Sequence, residues 1–252
     1  YGQRGMRQAI FDDIFRLIDQ AQRLVLVDMF LFNDFKGADD DNHRALSREL
    51  TDALLAKREQ QVPVVLITDP LNTLYGGLRS TSLEQLKHAG VTVVMTPLPA
   101  LRDSNPGWSG LWRLCCQWLG NDIDGGWLPN PMGDGKVTLR SYLALPNFKA
   151  NHRKTLVVDE GSDWTALVTS ANPHDGSSAH SNIALRFSGS SVGAVAHSEW
   201  KIAELAGITL PPRPAIQPTP AIDHNTTLEV LTEAAIRDAL LDTIARSKDG
   251  DA

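Results

Sequence analysis

The sequence predicts an α/β fold: a layered α-β-α domain with a mostly parallel or mixed central sheet. Three observations predict it. Short continuous apolar runs at 24–32 and 62–68 read as strands buried on both faces. Amphipathic stretches with helical spacing come before and between them. Helix and strand alternate three times before residue 96, the order that builds a layered sheet. The chain has 252 residues with 42% hydrophobic and 21% charged side chains, enough apolar material for a substantial core.

The first helix is expected over 6–21, where Met6, Ile10, Ile14, Leu17 and Ile18 recur on one side. It leads into the strand at 24–32. Asp28 is the exception there: a carboxylate in such a strand faces the mouth of a site or is paired, and pairing is preferred. The acidic cluster 39–41 marks a solvated loop at a helix entrance. A second helix is expected over 43–60, a strand over 62–68, and a turn at Asp69-Pro70-Leu71-Asn72. A short helix at 81–89 stops at Gly90, and 91–95 supplies the third strand.

Residues 97–145 break this rhythm with an aromatic insertion holding Trp108, Trp112, Trp118 and Trp127. Within it, 108–119 reads as a helix with Trp108, Leu111, Trp112, Cys115 and Leu119 along one side. That side is either core-facing or an interfacial lip. The pattern resumes with strands at 154–159, 164–169 and 183–187 and a helix at 192–206 that stops at Gly207. Five prolines between 210 and 220 make an extended linker. A strand at 227–231 and a helix at 233–247, with Ile236, Leu240, Leu241 and Ile244 inward, close the chain. The last helix repeats the apolar rhythm of the first. The expected organisation is therefore one domain over 1–208, a linker over 209–226, and the start of a second, truncated half over 227–252.

The chemistry concentrates in 151–172, NHRKTLVVDEGSDWTALVTSAN. On a strand beginning at Lys154, His152 and Lys154 share a face because side chains two apart alternate to the same side. Ser170 and Asn172, at the end of the next apolar run, reach the same mouth. An imidazole, an ammonium, a hydroxyl and an amide together suit a phosphate: donors hold its oxygens while the imidazole attacks or moves a proton. The bland alternative for each is a capping or surface residue.

His152, Lys154 and Asp159 match an H-x-K-x4-D pattern, and Thr169-Ser170-Ala171-Asn172 follows as a trailing element. In these residues the chain resembles the phospholipase D superfamily. The resemblance implies that His152 attacks a phosphodiester to give a phosphohistidine, that Lys154, Ser170 and Asn172 bind the phosphate, and that Asp159 belongs to the motif in a more structural role. A second histidine is then required, and no second H-x-K occurs in this chain. The missing half or a homodimer partner would supply it. Thr169 stands where the family's trailing element usually has glycine, and Asn182 where many members carry a glutamate that orients a histidine. His174 and His180 lie in the loop between, where they could line the pocket, with surface placement the preferred reading.

By resemblance the substrate is a phospholipid, with peripheral membrane contact and a cytoplasmic or peripheral-membrane setting. The alternatives are a nuclease-type member and a non-catalytic scaffold half. The formal charge of −6 argues against a nucleic-acid partner. No metal or other cofactor is expected, since the seven histidines are scattered. The adjacent Cys115 and Cys116 read as poor material for a disulfide. The chain begins at Tyr1, so targeting is left open.

Overall fold

The computed structural model describes residues 8–35, 44–213, 215–216 and 227–248. The elements, in order, are α1 (Ala9–Gln20), β1 (Val25–Met29), α2 (Leu46–Glu59), β2 (Val64–Thr68), α3 (Thr81–His88), β3 (Thr92–Met95), α4 (Pro106–Cys115), β4 (Leu128–Pro129), β5 (Lys136–Val137), α5 (Leu139–Ala144), β6 (Lys154–Glu160), β7 (Asp163–Thr169), β8 (Ala184–Ser188), α6 (Ser191–Leu205) and α7 (Ala234–Arg246).

Six strands form a mixed sheet in the order β3-β2-β1-β6-β7-β8. β1, β2 and β3 are parallel, joined by helical crossovers, whereas β6, β7 and β8 form an antiparallel meander. The expected α/β layering is observed. Both faces of the central strands are covered, which explains their unbroken apolar runs. On one face, Phe11, Ile14, Leu17 and Ile18 of α1 and Leu46, Leu50 and Leu54 of α2 pack over Val25, Val27, Leu156 and Val158. On the other, Val192, Val195, Ala196 and Trp200 of α6 cover Leu26, Ile67, Val157 and Ala166. Side chains from alternate positions of each strand thus build two separate apolar layers.

Polar side chains tie the layers together. The buried Lys57 ammonium donates to the carbonyls of Asp19 and, at 3.1 Å, Ala21, satisfying acceptors left over at the end of α1. Asp175 Oδ1 accepts the Ser47 N–H at 3.0 Å and its hydroxyl at 2.8 Å, capping the start of α2 from a distant loop.

Several expectations are corrected. Residues 39–41 and 43 lie outside the described residues, and α2 begins at Leu46. Besides the expected helix, here α4, the insertion holds the β4–β5 hairpin and α5. The side expected to be able to face a core is largely solvent-facing, with Leu111 of α4 50% exposed and Leu119, beyond the end of that helix, 53%. Ser109 is its buried residue. Cys115 and Cys116 form a disulfide between neighbours. Residues 227–233 form no strand. The stripe Ile236, Leu240, Leu241 and Ile244 of α7 is exposed rather than inward, because none of the described elements packs over it. Its helical period predicted the helix, but periodicity does not say what covers the face.

Candidate active site

β6 runs antiparallel to both β1 and β7, so its N-terminal end lies beside the C-terminal ends of those strands. β2, parallel to β1, ends at the same edge. The sheet edge therefore collects the chain around residues 30, 69, 152 and 170 into one mouth. Asn72 holds it in place. Its amide oxygen accepts the Phe32 N–H at 2.8 Å, and its amide nitrogen donates to Phe30 O at 2.8 Å and Thr68 Oγ1 at 2.9 Å. One buried side chain thereby fixes the exit of β1 to the exit of β2.

His152 and Lys154 meet at this mouth as their spacing predicts. Lys154 Nζ lies 3.2 Å from His152 Nδ1 and donates to the His152 carbonyl at 2.9 Å. The Phe30 ring forms the floor, with its centroid 4.4 Å from that of His152 and 5.1 Å from Lys154 Nζ. Lys154 is buried and His152 exposed. Burial, partly offset by Asp28, lowers the Lys154 ammonium to about 8. The imidazole is pushed below its ordinary 6.5 by desolvation and by the Lys154 charge. A neutral imidazole thus stands beside a cation near neutral pH.

Asn172 joins them at the same edge. Its Oδ1 accepts the Leu31 N–H at 3.1 Å, which identifies the NH2 as the end left for donation.

Ser170 turns away from Lys154. The register pairs Thr155 with Val168, so one further step places Thr169 beside Lys154 and turns Ser170 to the opposite face. Its hydroxyl donates to Asn182 Oδ1 at 3.0 Å and accepts the Ile183 N–H at 3.0 Å. Ser170 closes the β7–β8 turn, and Asn182 is engaged there.

Asp159, expected as a motif member in a more structural role, lies apart from this mouth. It sits at the far end of β6, about 17 Å from Lys154 for five residues of strand. It is buried, and its carboxylate accepts the backbone N–H groups of Gln22, Arg23 and Leu24 at 3.0, 2.8 and 3.1 Å. It anchors the α1–β1 connection.

Behind the mouth lies a polar network that residue spacing did not reveal. Asn151 donates from its side chain to Asp28 Oδ2 at 2.7 Å and to Thr96 Oγ1 at 3.1 Å, and from its backbone to Asp69 Oδ2 at 2.9 Å. The residue before His152 is thereby fixed to three strands. Asp28 is paired, as preferred from the sequence, but also faces another acid, Glu199 of α6. Burial and mutual repulsion raise Asp28, and burial raises Glu199. Burial likewise raises Asp69 to about 6. The only sequence signal for this network was Asp28 inside an apolar run.

The insertion holds the loop leading to His152. Lys149 pairs with Asp103 at 2.7 Å, Ser109 Oγ donates to Asn147 Oδ1 at 2.9 Å, and Asn105 Nδ2 donates to Pro146 O at 2.9 Å. Arg113 and Lys149 keep the Asp103 carboxyl well below the usual carboxylate range. Phe148, in the same loop, is 70% exposed, as are Leu114 (83%), Trp118 (78%) and Trp127 (66%), so the insertion presents apolar side chains to solvent.

No family model and no curated protein matches the chain. Among solved structures it is similar to Nuc from Salmonella typhimurium, a phospholipase D family member, at 12% identity and a TM-score of 0.41 over 77% of this chain and 86% of that one. It is similar to NucT from Helicobacter pylori at 10% identity and a TM-score of 0.42, covering 78% and 89%. Polyphosphate kinase from Porphyromonas gingivalis gives 12% identity and a TM-score of 0.39, covering 81% of this chain but 25% of that protein. At these values the likeness carries no residue role over to this chain.

Proposed function

We propose that the chain is a phosphodiesterase acting through His152, with phospholipids as its substrate class. One observation carries the reading: Lys154 Nζ stands 3.2 Å from the His152 ring at an open sheet edge, on a pattern that resembles the phospholipase D motif. The Lys154 ammonium and the Asn172 amide offset the charge that builds on the phosphoryl oxygens as His152 attacks.

The substrate-free contact sets the order of events. An ammonium donating to Nδ1 places the ring's own proton on Nε2, and attack through Nε2 needs the other tautomer. Phosphate oxygens are stronger acceptors than Nδ1, so a bound diester draws Lys154 onto itself and releases the ring. Leu114, Trp118, Trp127 and Phe148, exposed on or beside the insertion, favour an amphiphilic substrate over a nucleic acid, as does the net charge of −6.

The test is turnover of phosphatidylglycerol or phosphatidylcholine vesicles by the chain and by His152→Ala, in excess chelator. Head-group release that survives chelation and disappears in the variant is expected. Cleavage of a nucleic acid in place of lipid would move the substrate class while keeping His152. No cleavage of any diester would overturn the reading.

A further inference from the structure

Asn151 precedes His152 and Thr155 follows Lys154, and each ends on a different buried acid. Asn151 Nδ2 donates to Asp28 Oδ2 at 2.7 Å, and Thr155 Oγ1 donates to Glu199 Oε1 at 3.0 Å. We propose that Asp28 and Glu199 share one proton and act as a positioning pair, closing a buried chain of hydrogen bonds that clamps the backbone on both sides of His152 and Lys154. The assignment rests on the phosphodiesterase reading above.

Three observations carry it. First, the register sets Asp28 directly opposite Thr155 across β1 and β6, on the side of the sheet that α6 covers. Glu199, on the buried side of α6, meets them there. Lys154 points to the other side, so the pair lies behind the catalytic segment and stays clear of the substrate.

Second, each acid spends one oxygen on that segment and has one left over. Asp28 Oδ1 and Glu199 Oε2 are buried, with no hydrogen-bond partner among the described residues. The two side chains are hydrogen-bonding neighbours. Acceptor oxygens in contact repel unless a proton lies between them. One proton satisfies both and leaves a single negative charge, which Arg153, the residue between His152 and Lys154, helps to balance. Burial raises both carboxyls, as retention of that proton requires.

Third, the two ends of the clamp are otherwise immobile. Asn151 also donates to Thr96 Oγ1 at 3.1 Å and, from its backbone, to Asp69 Oδ2 at 2.9 Å. Thr155 is held in the sheet between β1 and β7. Residues 152–154 therefore hang between two fixed points joined through the acid pair, and slack at either point moves the imidazole against the ammonium.

The shared proton dictates a pattern among variants. An amide replaces a carboxyl in either position, because its NH2 supplies the bridging hydrogen while its oxygen keeps the outer bond. Two amides together set NH2 against NH2, so one must turn round and lose its bond from Asn151 or Thr155.

The experiment measures kcat and KM at neutral pH on the soluble diester bis(p-nitrophenyl) phosphate and on phosphatidylcholine vesicles, with the folded fraction taken from urea unfolding. Asp28→Asn and Glu199→Gln should each lower kcat less than about fivefold. Combined, they should lower it about 100-fold, well beyond the product of the two, with KM changing less than about threefold. Thr155→Val, which removes the hydroxyl on Glu199, should lower kcat about tenfold, and Thr155→Ser should recover most of it. A double variant no worse than the product of the singles, or Thr155→Val as active as wild type, would overturn the assignment while wild-type turnover leaves the phosphodiesterase reading standing. Should the double variant not fold, the contrast between Thr155→Val and Thr155→Ser decides alone. A wild-type chain inactive on both diesters overturns the two together.

Discussion

The Asn151 side chain donates to Asp28 Oδ2 at 2.7 Å, so the residue next to His152 hangs from a carboxyl buried in the centre of the sheet. The other oxygen of that carboxyl, Asp28 Oδ1, and Glu199 Oε2 are both buried with no donor among the described residues. Two acids share a space that holds one charge poorly. Both are raised, so between the unfolded carboxylate range and the folded values the native state binds more protons than the unfolded chain, and stability falls as pH rises. Asp28→Asn keeps an acceptor for Asn151 and gives Glu199 an NH2 donor. Urea unfolding should show the variant more stable than wild type at pH 8 by roughly 1–3 kcal/mol, with a smaller or reversed difference at pH 5. A variant weakened most at pH 8 would refute the shared-proton arrangement.

Asp159 gives a prediction of the opposite kind. Its three backbone donors lie at the edge of the sheet away from His152, so Asp159→Ala should cost roughly 3–5 kcal/mol of stability by leaving buried N–H groups unpaired. The folded fraction should keep kcat/KM within about threefold of wild type, as for a site far from the chemistry. Loss of activity at full stability would return Asp159 to the catalytic set.

The pH–rate profile follows from the His152–Lys154 pair. In the proposed reaction, attack requires neutral His152, whose lowered pKa puts the rising limb below 6.5. Charge stabilisation requires cationic Lys154, so the falling limb belongs near pH 8. Lys154→Arg should abolish the falling limb, because a guanidinium stays charged, while lowering the rate about 10- to 100-fold through its different shape. A profile that still falls near pH 8 in Lys154→Arg would assign that limb to another group.

How much of this was legible in the sequence depends on whether the signal was local. Strands at 24–32 and 62–68 were readable because both faces are buried and nearly every position is apolar, Asp28 being the exception in the first. His152 and Lys154 were readable because strand alternation places them together without any tertiary information. The face Ser170 occupies was not readable, because it depends on the register of β7 against β6, which spacing within one segment does not give. Asp159 was readable as a motif member, but its work is done on the backbone of residues 22–24, more than 130 positions away in the chain. The vicinal Cys115–Cys116 bond and the exposed α7 stripe depend on local geometry and on missing neighbours, neither of which periodicity carries.

Asn72 is where stability and activity should fail together. Its side chain accepts from Phe32 N–H and Asn33 Nδ2 and donates to Phe30 O, Thr68 Oγ1 and, at 3.0 Å, Asp69 O. Asn72→Ala leaves the Phe32 N–H and the Phe30 carbonyl without that partner in a buried setting, for an expected loss of roughly 2–5 kcal/mol in urea unfolding. The Phe30 ring is the floor under both His152 and Lys154, so freeing its backbone displaces the surface that fixes their spacing. A shift of about 1 Å in such a pair is enough to lower turnover about 100-fold. Measured where the variant is still folded, kcat should therefore drop well beyond what the unfolded fraction explains, and the Lys154-controlled limb near pH 8 should move as the ammonium gains or loses desolvation. If kcat of the folded variant and its pH profile both match wild type, Asn72 serves the fold alone and the β1 exit does not position the site.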